Sequence, residues 1–67
     1  SKDIVKPRQV AMYIIREDFD VSYPEIGDTL GGRDHTTVIH SYEKIKHDLL
    51  SDPVLMKEVA ELRSLFT

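Results

Sequence analysis

A polar cluster lies near the middle of the chain, in residues 31–40, which read GGRDHTTVIH. It places a carboxylate, imidazoles and hydroxyls next to two glycines and directly before an apolar helical pattern. Side chains of these types can ligate a metal, transfer a proton or contact the base edges and phosphates of a nucleic acid. A hydrophobic core requires none of them, so the cluster is the first place to look for function.

Metal binding and catalysis are the weaker readings of this cluster. The three histidines, His35, His40 and His47, do not combine with carboxylates into a convincing ligand set, and the chain has no cysteine. A hydrolase would need a nucleophile oriented by His35 and Asp34, but adjacent residues diverge around a helix and cannot form a relay. We therefore expect neither a metal site nor an enzyme.

Nucleic-acid binding suits the same side chains better. If a helix follows Asp34, the face opposite its apolar stripe carries Thr36, His40, Lys44 and His47. Threonine can contact a base edge or a thymine methyl, aspartate can accept from the cytosine amino group, and lysine reaches phosphates. Each residue also has an ordinary role, for example Asp34 as a helix cap and Lys44 as a solvated lysine. The residues alone leave both roles open.

Four helices are needed to position the cluster, and their starts are marked by caps and prolines. Pro7 opens a helix predicted to end near Asp18, and Ser22 to Glu25 has the form of a capping box, with Pro24 in the first turn. Asp34 is the predicted N-cap of the third helix, and residues 51–53, Ser-Asp-Pro, precede the fourth. The predicted buried stripes are Val10, Ala11, Ile14 and Ile15; Ile26 and Leu30; Val38, Tyr42, Ile45 and Leu49; and Leu55, Val59, Leu62 and Phe66.

A short helix, a glycine turn at Gly31 and Gly32 and a longer helix together predict a helix-turn-helix unit. The fold class is therefore all-α, a small bundle of about four helices. A plain helical bundle has similar punctuation, so the helix pattern by itself does not decide between them.

Composition describes one small domain and argues mildly against a nucleic-acid partner. The 67 residues are 40% hydrophobic and 31% charged, with a formal net charge of −3. Residues 1–47 hold seven Lys/Arg against eight Asp/Glu, and residues 48–67 hold two against four, so neither part has the basic excess usual in such modules. No apolar run approaches a membrane span or a signal peptide, so we expect no membrane role, and the absence of cysteine fits an intracellular setting.

Three motifs resemble one known family. The segments P-R-Q-x-A-M-Y from Pro7, S-x-P-E-I-G from Ser22 and G-G-R-D-H-T-T-V-x-H from Gly31 are similar to the C-terminal DNA-binding domain, domain IV, of the bacterial replication initiator DnaA. The resemblance covers Pro7 to Ile45. It implies a Trp-repressor-like helix-turn-helix fold that binds double-stranded DNA at the DnaA box, a short asymmetric nonamer in the replication origin.

The resemblance also implies roles for individual residues. Base readers in the major groove are expected at Arg33, Asp34, His35, Thr36 and Thr37. The expected minor-groove reader is Arg8. Phosphate contacts are expected from Arg16, Tyr23, Pro24, His40 and Lys44. The last helix shares little of the family pattern, so its stripe is assigned to packing alone.

Further expectations concern what lies around and outside the domain. Residues 1–6 look like the end of a linker and residues 7–67 like the domain, which we expect to be a piece of a longer protein, monomeric alone and oligomeric in the full-length initiator. The sequence has no G-x-x-x-x-G-K-[ST] phosphate loop, so any ATP would belong to an AAA+ region elsewhere, and no cofactor is expected here.

Glu43 stands where many relatives carry a basic residue, which predicts modest affinity and a shallow salt dependence. Two alternatives are a helical protein-interaction module, docking through its acidic last helix, and a helix-turn-helix transcription regulator.

Overall fold

The computed structural model describes residues 7–30 and 34–66 and shows four helices there, with no strand in those two ranges. They are α1 (Pro7–Phe19), α2 (Tyr23–Thr29), α3 (His35–Asp48) and α4 (Pro53–Ser64). The all-α prediction is confirmed, and α1 ends one residue later than predicted. Gly31, Gly32 and Arg33, like the predicted linker end at residues 1–6, lie outside the described residues.

Side-chain caps set the starts of the last three helices. The Ser22 hydroxyl accepts from the Glu25 N–H at 3.3 Å, Asp34 Oδ1 accepts from the Thr36 N–H at 3.2 Å, and Asp52 Oδ1 accepts from the Leu55 N–H at 3.1 Å. Each bond satisfies a backbone donor that has no partner within its own helix. The starts predicted from sequence are therefore confirmed.

Helix α1 is the centre of the packing, since it contacts all three other helices. One core cluster joins it to α3 and α4 and consists of Val10, Tyr13, Ile14, Tyr42, Ile45, Leu55 and Val59. The second joins it to α2 and α3 and consists of Met12, Ile26 and Val38. The second cluster fixes the two helices of the helix-turn-helix unit against each other, because Ile26 and Val38 are 1% and 0% exposed.

The predicted stripe of α1 was too narrow. Met12 and Tyr13 are buried although neither belonged to it, whereas Ala11 and Ile15 are only half-buried. A single stripe describes a helix packed on one side, and α1 is packed from two sides by the two clusters.

The predicted stripe of α4 is half correct. Leu55 and Val59 are buried, but Leu62 and Phe66 are 39% and 64% exposed. The helix ends at Ser64, so Phe66 no longer follows its periodicity and instead meets Phe19 edge-on, with 5.8 Å between ring centroids. No helix within the described ranges combines the length and apolarity needed to cross a bilayer.

Candidate nucleic-acid interface

The first turn of α3 presents its polar side chains outward. Asp34, His35, Thr36 and Thr37 are all exposed, whereas Val38, the next residue, is completely buried in the second core cluster. The burial of Val38 fixes the rotation of α3 about its axis, and the four exposed residues before it lie together at the N-terminal end of that helix. Arg33, the fifth predicted base reader, lies outside the described residues.

Asp34 has a structural role that leaves it at the surface. One carboxylate oxygen, Oδ1, caps the helix through the Thr36 N–H, and the backbone carbonyl accepts from the N–H of Thr37 at 2.9 Å. His35 Nδ1 lies 3.8 Å from the same carboxylate oxygen. The Asp34 side chain remains 69% exposed, so capping and contact with a ligand are compatible.

Farther along α3, the polar face continues but its charges are partly paired. His40, Glu43 and His47 are exposed. Lys44 is half-buried, and its ammonium donates to Asp48 Oδ2 at 3.1 Å, one turn later. A lysine that also serves a carboxylate on its own helix contributes less positive charge to the face than the sequence suggested.

Arg8 contacts the C-terminal end of α2. Its Nη1 donates at 3.3 Å to the carbonyl oxygen of Leu30, the C-cap residue of α2, which lies 22 positions later in the sequence. The fold thus places the predicted minor-groove reader at the C-terminal end of α2, where Leu30 packs against the core cluster that holds Val38 of α3. A guanidinium at a helix C-terminus is also favourable for the helix dipole.

Arg16 is engaged at the corner between α1 and α2. Its Nη1 donates to the Val21 carbonyl at 3.2 Å and lies 3.5 Å from Asp20 Oδ1, and its guanidinium carbon stands 4.7 Å from the centroid of the Tyr23 ring. Tyr23 is half-buried, and the neighbouring Pro24 is exposed. The predicted phosphate-contacting residues of α1 and α2 therefore form one connected group.

A tyrosine cluster beneath α3 was not predicted as a unit. The Tyr42 ring stacks on Tyr13 with 5.4 Å between centroids and meets Tyr23 edge-on at 6.0 Å. Its hydroxyl donates to Glu17 Oε1 at 2.5 Å, and this bond, with burial, raises the pKa of Tyr42 to about 12. The sequence marked Tyr42 as apolar packing, but its partners come from α1 and α2 and carry no local signal.

The described residues hold no group of three His, Asp and Glu side chains arranged to bind a metal ion. The geometry shows a polar, exposed start of α3, Arg8 at the C-terminal end of α2, and aromatic rings packed against Tyr42 farther along α3.

Comparison with known proteins identifies this arrangement. Residues 1–45 match the family model described as the bacterial dnaA protein helix-turn-helix. The chain belongs to that family. It is also 56% identical over 63 residues to the chromosomal replication initiator protein DnaA of Herpetosiphon aurantiacus, an alignment that covers 94% of this chain and 13% of that protein. No solved structure matches the chain. Membership of the DnaA family makes α2 and α3 the helix-turn-helix of a DNA-binding domain.

Proposed function

We propose that this domain binds double-stranded DNA site-specifically at DnaA boxes and thereby anchors its parent initiator at the replication origin. The observation that carries the proposal is the first turn of α3, where Asp34 to Thr37 are exposed while Val38 is locked into the core. A recognition helix needs this division, because its N-terminal side chains contact base edges while its other face is held by the domain.

The proposed division of work follows the position of each side chain. Arg33, Asp34, His35, Thr36 and Thr37 would read the major groove, and Arg8, which donates to the Leu30 carbonyl, would enter the adjacent minor groove. Tyr23, Pro24, His40 and Lys44 would contact phosphates. The Lys44–Asp48 pair and the exposed Glu43 support weak attraction to the DNA phosphates. The choice between DNA sequences should therefore depend mainly on base contacts.

The proposed activity needs no cofactor or metal in this domain, and it makes and breaks no covalent bond. We further propose that the domain acts as a monomer by itself, in the cytoplasm on nucleoid DNA, and that ATP binding and oligomerisation belong to other regions of the initiator.

The test is fluorescence anisotropy with a duplex carrying a DnaA box and a scrambled duplex of equal composition, at one salt concentration. The chain should prefer the box, and His35→Ala or Thr36→Ala should reduce that preference by about 1–3 kcal/mol each. Lys44→Ala should weaken binding to both duplexes equally.

Lys57→Ala is the matched control for Lys44→Ala, because Lys57 is an exposed lysine on α4, away from the proposed interface. It removes the same charge and should leave both affinities unchanged. Equal affinity of the unmodified chain for the two duplexes would refute the proposal.

A further inference from the structure

Arg16 makes contacts within the protein that its expected role as a phosphate contact does not explain. Its side chain is only 33% exposed and makes three contacts at one corner of the fold: the Val21 carbonyl, the Asp20 carboxylate and the Tyr23 ring. A cation reserved for DNA phosphates would be expected to extend into solvent. This one is folded back onto the protein.

We infer that Arg16 is a positioning residue for the proposed interface, holding the corner between α1 and α2 and, through Tyr23, the placement of α2 against α3. The inference rests on the proposed function. The chain of contact is continuous, since Arg16 stacks on Tyr23 and Tyr23 meets Tyr42, which belongs to α3.

The corner needs such a residue for two reasons. Helix α2 has seven residues, too few to be stable without tertiary contacts. The connection before it begins at Asp20, whose φ of 54° lies in the left-handed region that disfavours residues other than glycine. Arg16 counters both, because it binds a carbonyl of the connection and the first residue of α2 together.

The geometry explains why the residue is arginine. A guanidinium can place one flat face on an aromatic ring while its in-plane N–H groups donate to a carbonyl and a carboxylate. A lysine ammonium has no flat face, so it cannot lie on the ring and donate in the same plane to the carbonyl and the carboxylate, although it contacts a DNA phosphate well as a point charge. Arg16→Lys therefore separates positioning from phosphate binding.

The experiment measures the affinity for the DnaA-box duplex across a series of salt concentrations. The variants are Arg16→Lys, Arg16→Gln, Tyr23→Leu and the double change Arg16→Gln with Tyr23→Leu. Both Arg16 variants should lose roughly threefold to tenfold in affinity, the size expected for a stacked cation. The slope of log affinity against log salt should stay as in the unmodified chain, and the double variant should bind about as well as Tyr23→Leu alone.

Arg63→Gln is the matched control. Like the Arg16 change, it removes one positive charge from a half-buried arginine that contacts a carboxylate and an aromatic ring. Arg63 pairs with Asp18 and lies 5.6 Å from the centroid of the Tyr13 ring, but it belongs to α4. It should lower stability and leave DNA affinity unchanged. A similar affinity loss in this control would show that Arg16 acts only through general stability and would overturn the inference.

A phosphate contact would give the opposite pattern. Arg16→Gln would lower the slope of log affinity against log salt by about 0.9, and Arg16→Lys would restore both the slope and the affinity. Either this pattern or an unchanged affinity in both variants would overturn the inference.

Amide hydrogen exchange without DNA tests the corner separately. Exchange at Ile26 and Gly27 should be faster in both Arg16 variants, and unchanged exchange would refute the positioning role. If the unmodified chain does not distinguish box from scrambled duplex, the proposed function fails, and the exchange result still decides whether Arg16 holds the corner.

Discussion

Replacing Tyr42 by phenylalanine isolates the hydrogen bond that joins α3 to α1. The Tyr42 ring is 9% exposed, and its hydroxyl donates to the Glu17 carboxylate at 2.5 Å. A bond to a charged acceptor is stronger than a neutral one, but Glu17 is exposed, so water hydrates its carboxylate once the hydroxyl is gone. We expect Tyr42→Phe to lower the free energy of unfolding by about 1 kcal/mol at neutral pH.

The same bond makes the effect depend on pH. The pKa of Tyr42 is raised from 10.0 to about 12 in the folded chain, because the hydroxyl donates to Glu17 and the ring is buried. A group whose folded pKa is raised contributes its full stability below the unfolded pKa and loses it as pH rises toward the folded pKa. At pH 10.5 the unfolded tyrosine is mostly ionised, which removes about 0.8 kcal/mol of the advantage over phenylalanine.

Urea unfolding followed by far-UV circular dichroism, at neutral pH and near pH 10.5, measures this difference. The gap between the unmodified chain and Tyr42→Phe should shrink to a small fraction of its neutral value at the higher pH. Tyr23→Phe is the control, because the Tyr23 hydroxyl makes no hydrogen bond within the part of the chain that the structure describes. A gap that stays constant or widens with pH would refute the reasoning.

Two other substitutions test the C-terminal end of α1. Asp18→Asn removes a bidentate partner of Arg63, at 2.7 and 2.8 Å, and should cost about 0.5–1 kcal/mol near neutral pH, a modest value because both side chains are about one-third exposed. The Arg63 hydrogen bond lowers the pKa of Asp18 from its usual 3.8, so this cost should begin to shrink as pH falls below 3.8 and disappear once pH has fallen through the lowered pKa of the folded chain; urea unfolding in that acid range that still showed the full cost would contradict the assignment. Asp20→Gly should raise stability by about 0.5–1 kcal/mol, since glycine tolerates a φ of 54° and the Asp20 carboxylate is 92% exposed; a lower melting temperature would mean that the pair with Arg16 outweighs the backbone relief.

The helix starts were predictable because their causes are local. Ser22, Asp34 and Asp52 each cap a helix whose first amides lie two or three residues away, so a few letters of sequence contain the whole interaction. The exposed face at the start of α3 was predictable for a similar reason, because the period of 3.6 residues separates Thr36 from Val38.

The contacts that orient the helices could not be predicted from sequence periodicity. Tyr13 is buried because α3 and α4 both pack on α1, and the bond between Tyr42 and Glu17 joins residues 25 positions apart. The contact of the Arg16 guanidinium with the Tyr23 ring spans the connection that contains Asp20, whose positive φ no residue pattern specified. Pairwise geometry of this kind appears only when the helices are in place.

The acidic composition of the domain bears directly on how it would select a site. Attraction between basic side chains and phosphates is blind to sequence, and a chain with a net charge of −3 and a lysine paired to Asp48 offers little of it. Under the proposed function, base contacts would then supply a larger share of the binding free energy, and they would require that His35, Thr36 and Thr37 keep fixed positions. The buried face of α3 holds the helix in place, because Val38 and Ile45 are fully buried. Tyr42 stacks on Tyr13, and its hydroxyl donates to the Glu17 carboxylate. Under the proposed function, weak attraction to phosphates and the buried face of α3 would act together, because low affinity for random DNA raises the ratio of specific to non-specific binding.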